Sequence, residues 1–100
     1  MKEPSYILKN EITGINGERI VLFYFTCETA DNKKRYGVGI DMYIQNSGMR
    51  TTKERKVMES IFEDKRDAES FLRTICKCSV TPTSLEDVVS DSISEEKSVI

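Results

Sequence analysis

The sequence predicts an α+β domain in which a four-stranded antiparallel β-meander is followed by two C-terminal helices packed on the sheet, in the order β-β-β-β-α-α. Three observations carry this. Residues 36–44 alternate apolar and other side chains in the period of a strand, with Tyr36, Val38, Ile40, Met42 and Ile44 on one side. Residues 65–78 bring Ala68, Phe71, Leu72, Ile75 and Cys78 back at the three- and four-residue steps of one helix face. Short turn signals, Asn16-Gly17 among them, punctuate the apolar runs.

The first strand is expected over residues 6–13, with Tyr6, Leu8 and Ile12 on one side and Asn10 interrupting that side. Asn16-Gly17 then predicts a hairpin, since both residues tolerate positive φ. Residues 18–29 hold Ile20, Val21, Leu22, Phe23, Tyr24, Phe25 and Cys27 and are apolar on both faces, which marks a central strand. Which face meets the helices is left open, because both patterns are equally apolar. A polar turn over 30–34 leads into the third strand, whose second face carries Gly37 and Gly39 and predicts a bulge, a twist or a shallow depression. After Asn46-Ser47-Gly48 a polar loop is expected to about Glu54, and then an edge strand over 55–62.

Asp64 is placed to cap the first helix, Asp67 suits the positive end of its dipole, and Arg73 and Lys77 suit the other end. Thr83 with Glu86 three residues on fits a capping box, and Leu85, Val88, Val89 and Ile93 give a second apolar face, so a second helix is expected over about 84–92. The single domain is taken as 1–93, with 94–100 a frayed tail. The expected core comprises Leu22, Val38, Ile40, Met42, Ile61, Phe71, Leu72, Ile75, Val88 and Val89.

Tyr36-Gly37-Val38-Gly39-Ile40, the 57–64 strand-to-helix turn, Ala68, Phe71 and Leu72, and Thr81-Pro82 with Leu85, Asp87, Val88, Val89 and Asp91 form an order of motifs. That order resembles a family of small uncharacterised bacterial proteins of clostridial type, known only as a domain of unknown function. The resemblance covers the last two-thirds of the chain. It implies a compact unit of four strands and two helices, and no activity or site.

Composition narrows the function classes. The 100 residues suit one domain, 32% are charged, and the formal net charge is −2. No segment reaches the roughly 20 apolar residues of a membrane span, and Met1-Lys2-Glu3-Pro4-Ser5 lacks a signal's apolar core. Three cysteines, an odd count without scaffold spacing, point to reduced thiols, so the expected location is cytoplasmic. There is no histidine, which removes the side chain best suited to proton transfer near neutral pH, and a non-enzyme is expected. Asp41 and Glu59 on neighbouring strands read as solvated charges before they read as an acid–base pair. Cys76 and Cys78 point apart on a helix and lack a fourth partner, so no metal and no cofactor is expected; Cys78 reads as core and Cys76 as partly exposed.

The reading that remains is a small non-catalytic protein-interaction or regulatory module, with a homodimer as one form of it. Its candidate surface is Tyr24, Phe25, Gly37, Gly39 and Tyr43. The acidic second helix and tail, with Glu86, Asp87, Asp91, Glu95 and Glu96, is expected to dock on a basic partner or on the basic loops of its own sheet. One alternative is nucleic-acid binding through a basic patch of Lys33, Lys34, Arg35, Arg50, Lys53, Arg55 and Lys56 in the 33–35 and 50–56 loops, against which pI ≈ 5.2 weighs. Another is a small-ligand sensor with Tyr24, Phe25 and Tyr43 lining a pocket.

Overall fold

The computed structural model describes residues 6–29, 35–46 and 48–98. Four strands, β1 (Ile7–Thr13), β2 (Arg19–Glu28), β3 (Tyr36–Asn46) and β4 (Met49–Phe62), form one antiparallel sheet in chain order. Two helices follow, α1 (Lys65–Lys77) and α2 (Pro82–Ser98). Both lie on one side of the sheet, α1 mainly across β1 and β2 and α2 across β3 and β4. The α+β meander expected from the sequence is the observed fold.

The central strand divides its apolar residues between two layers. Leu22 and Tyr24 join Val38, Ile40 and Met42 of β3 under Leu72, Ile75, Leu85 and Val89 of the helices, and this cluster is the core. Ile61, Phe71 and Val88, expected inside, pack against it half-buried. Val21 and Phe25 point the other way, and they are buried without any help from the helices.

Each turn has a local cause. In the β1–β2 connection Gly17 alone takes positive φ, at 81°, and its N–H donates to the Gly14 carbonyl at 3.0 Å. The turn is therefore four residues long, and Asn16 keeps an ordinary φ. The expected loop before the fourth strand is instead strand: β4 starts at Met49, directly after a tight turn at Gly48 (φ 83°), and Arg50 pairs with Gln45. The register with β3 slips twice, between Tyr36 and Val38 and between Met42 and Tyr43. The first slip holds Ser60 at φ 57°, bridged to Thr29 by a hydroxyl contact of 3.1 Å.

Helix α1 begins as its sequence indicates, with the Asp64 carboxylate accepting from the Arg66 N–H at 2.9 Å. Its end differs for Cys78. The helix stops at Lys77, and Ser79 takes a left-handed φ of 54° while its N–H donates to Cys76 O and that of Val80 to Ile75 O. This Schellman turn swings Cys78 to the surface and leaves Cys76 half-buried. Helix α2 starts at Pro82, whose fixed φ suits a first helical position, so Thr83 is inside the helix and donates to Glu54 at 3.1 Å rather than capping it. The helix extends to Ser98, past the expected end near residue 92.

Candidate interaction surface

Antiparallel register stacks the outward-facing residues, those opposite the helices, into rows across the sheet. Thr13, Arg19, Gln45 and Arg50 form one row; Glu11, Val21 and Tyr43 the next; Lys9, Phe23, Asp41 and Arg55 the third; and Ile7, Phe25, Gly39 and Val57 the fourth. No described helix lies over them. The middle of this outer face is apolar and aromatic apart from Asp41; Arg50 and Arg55 of β4 flank it on one side, and Lys9 and Glu11 of β1 on the other.

The aromatic rings and guanidinium groups interlock. Phe23 and Tyr43 meet edge to face with centroids 5.7 Å apart, and the Arg50 guanidinium lies 5.4 Å from the first ring and 5.8 Å from the second. Arg55 sits 5.1 Å above the Phe25 ring and pairs with Asp41 at 3.5 Å. Burial pushes the Asp41 carboxyl above its usual range, and Arg55 offsets part of that. On the far side Glu11 pairs with Lys9 at 3.3 Å and with Arg19 at 4.0 Å.

The five residues of the expected surface do not stay together. Tyr24 is fully buried on the helix side, where its hydroxyl donates to Val80 O at 2.8 Å, because consecutive strand residues face opposite ways. Phe25, Gly37, Gly39 and Tyr43 do share the outer face. The two glycines open no depression, however. A Cβ on Gly39 would run into the Phe25 ring, and one on Gly37 into the Met58 carbonyl and the Glu59 Cα of the first slip, so their space is already filled. Phe23, absent from the expected set, is central to the face; its parity with Phe25 was the available signal.

The basic patch divides in the same manner. Arg50 and Arg55 are on the outer face, whereas Lys56 is on the helix side and pairs with Glu86 of α2 at 3.2 Å. Thus the acidic helix does dock on its own sheet at that point. Arg35 is exposed just before β3. Lys33 and Lys34 lie outside the described residues, as does the Lys53 side chain, although Lys53 itself belongs to β4.

The three aromatic residues Tyr24, Phe25 and Tyr43 line no common pocket, since Tyr24 is on the other side of the sheet. Concavity is found instead between the helices, as an open groove of about 480 Å³ with Phe62, Phe71 and Val88 at its base and Asp67, Ser70, Thr74 and Asp91 exposed along its rim. Asp41 faces Arg55 while Glu59 lies beside Gly37 and Cys27, so the two carboxylates are not a pair. Among the described residues no group of three or more Cys, Asp or Glu is gathered to hold a metal ion, and no helix is long and apolar enough to cross a membrane.

No curated protein and no solved structure matches the chain. A family model does match, over residues 5–95, and it spans every strand and both helix cores described above. The chain belongs to DUF6514, a family of unknown function.

Proposed function

We propose that this protein is a non-catalytic interaction module that docks a protein partner on the outer face of its sheet. One observation carries the reading: both helices cover the same side, and the opposite side presents half-exposed Phe23 and Tyr43 beneath arginine. Interfaces are enriched in this pair of residue types, aromatic and Arg, because each buries a large surface and keeps a polar edge. Support for a non-catalytic role comes from the absence of histidine and from Asp41 being held by Arg55. An odd number of cysteines without disulfide-scaffold spacing supports a cytoplasmic location on this reading.

The test is capture from nuclease-treated native lysate with the tagged protein, its Tyr43→Ala variant, and an Asp87→Lys control on the exposed side of α2. A protein retained stoichiometrically by the wild type and the control, and lost with Tyr43→Ala, is the expected result. Equal recovery by all three chains, or recovery that vanishes with nuclease, overturns the proposal.

A further inference from the structure

Among the described residues of the outer face, one cation stands without a counter-charge. In its first three rows stand four cations, Lys9, Arg19, Arg50 and Arg55, and two carboxylates, Glu11 and Asp41. Glu11 holds Lys9 and Arg19, and Asp41 holds Arg55. Arg50 has no carboxylate partner among the described residues. Its guanidinium carbon lies within cation–π range of both the Phe23 and Tyr43 rings, at 5.4 and 5.8 Å.

We infer that Arg50 anchors the partner on this face by taking a carboxylate of an acidic peptide segment, an inference that rests on the interaction-module reading above. A guanidinium held beside aromatic rings by cation–π attraction still has N–H groups to donate, and a carboxylate can take two of them in parallel hydrogen bonds. Because the rings already hold the group in place, less side-chain freedom is lost on binding. The edges of Phe23 and Tyr43 beside it accept an apolar side chain of the same segment.

The same geometry disfavours a nucleic acid. Base stacking needs an open ring face, but Arg50 covers Phe23 and Tyr43, and Phe25 is only 4% exposed beneath Arg55. Successive phosphates along a strand would also pass Asp41 and Glu11. A segment with one or two carboxylates avoids both obstacles.

The experiment is a selection of displayed random linear peptides on the full chain, followed by affinity measurements against wild type, Arg50→Gln, Arg50→Lys and Tyr43→Ala. Enrichment of Asp and Glu is expected, with binding about 10- to 100-fold weaker to Arg50→Gln, the range that a charge-assisted hydrogen bond implies. Arg50→Lys should restore only part of it, and added salt should weaken the wild-type complex. Selected peptides without acidic enrichment, or equal binding to Arg50→Gln, overturn the anchor; the surface reading still stands in that case if Tyr43→Ala abolishes binding. Peptides that bind Tyr43→Ala normally overturn both. Displacement of the peptides by a single-stranded oligothymidylate at low salt overturns the peptide assignment in favour of nucleic acid.

Discussion

The side-chain amide of Asn10 on β1 donates to the backbone carbonyl of Cys76 in the last turn of α1 at 2.9 Å, and to the Ser79 hydroxyl at 2.8 Å. Its oxygen accepts from the Glu11 N–H at 2.8 Å. The one polar residue on the inner side of β1 is thus a clamp on the Schellman turn of a helix distant in sequence. Beside it the Cys76 thiol points to the Lys9 carbonyl of β1, at 3.9 Å.

Asn10→Ala should lower unfolding stability by about 1–3 kcal/mol, because a helix-end carbonyl loses its donor. Asn10→Asp should be worse near neutral pH, as a carboxylate cannot donate and faces the negative end of the helix dipole. That variant's carboxyl would titrate above its unfolded value, so the loss should shrink as pH falls through the carboxylate range. Urea midpoints at two pH values measure both effects; an Asp variant as stable as wild type at neutral pH would remove the clamp from the account.

Tyr24 supplies the second tie to the same turn, through Val80 O. Burial first, then the Cys76 and Cys78 thiols, push its phenol above the ordinary 10.0. The unfolded chain therefore ionises first, and stability should fall as pH rises past 10.0. Phenolate absorbance, read as wild type minus Tyr24→Phe, should appear only with unfolding. At neutral pH Tyr24→Phe should cost about 1 kcal/mol for the lost hydrogen bond.

What the sequence made legible is what neighbouring residues decide among themselves. The period of α1 and the Asp64 cap are local, and so is the alternation of β3. The start of β4 was hidden because Arg50, Thr51, Thr52, Lys53 and Glu54 carry no apolar alternation; this stretch is strand through its pairing with β3. Asn10 looked like a defect because its partners arrive from the far end of the chain. The residues of the candidate surface fall on two sides of the sheet for one reason. A strand apolar on both sides gives no parity, and Tyr24 was grouped with Phe25 across the sheet. The Phe25–Gly39 pairing, a ring seated over a glycine, is the relationship that assigns the outer face.

Gly39→Ala should destabilise by about 1–3 kcal/mol, since the new methyl displaces the Phe25 ring. A ring can be shortened, so Phe25→Leu should recover part of that loss in a double-mutant cycle. Gly37→Ala meets backbone of β4 instead, including Glu59 Cα at 2.8 Å, and should cost more with no relief from Phe25→Leu. Thermal or urea unfolding of wild type, the three single variants and the two doubles with Phe25→Leu decides it. Additive losses at Gly39 and Phe25 would show that the ring is not seated there.

Asp41 has a side chain only 16% exposed, and burial raises its pKa although Arg55 is adjacent. The native state then holds this proton above the unfolded value of 3.8, so its contribution to stability falls as pH rises through the window just above 3.8. Asp41→Asn should be at least as stable as wild type at neutral pH, with the difference fading in acid. A clear loss at neutral pH would mean that the Arg55 pair outweighs burial.

Helix α2 touches the sheet through the Thr83–Glu54 hydrogen bond, an ion pair and apolar packing, and the last two differ in magnitude. Lys56–Glu86 is an ion pair between largely exposed side chains, the kind worth about 0–1 kcal/mol. Leu85 and Val89 are buried in the core, where truncating a leucine to alanine costs about 2–5 kcal/mol. Lys56→Ala should therefore leave the unfolding midpoint nearly unchanged, and Leu85→Ala should lower it sharply. High salt should act like Lys56→Ala, since it screens the pair and spares the apolar contact. If salt alone released α2, seen as a loss of helical ellipticity with the sheet intact, charge would be holding it, and the buried side chains beneath it would have to be far looser than Leu85 and Val89 are.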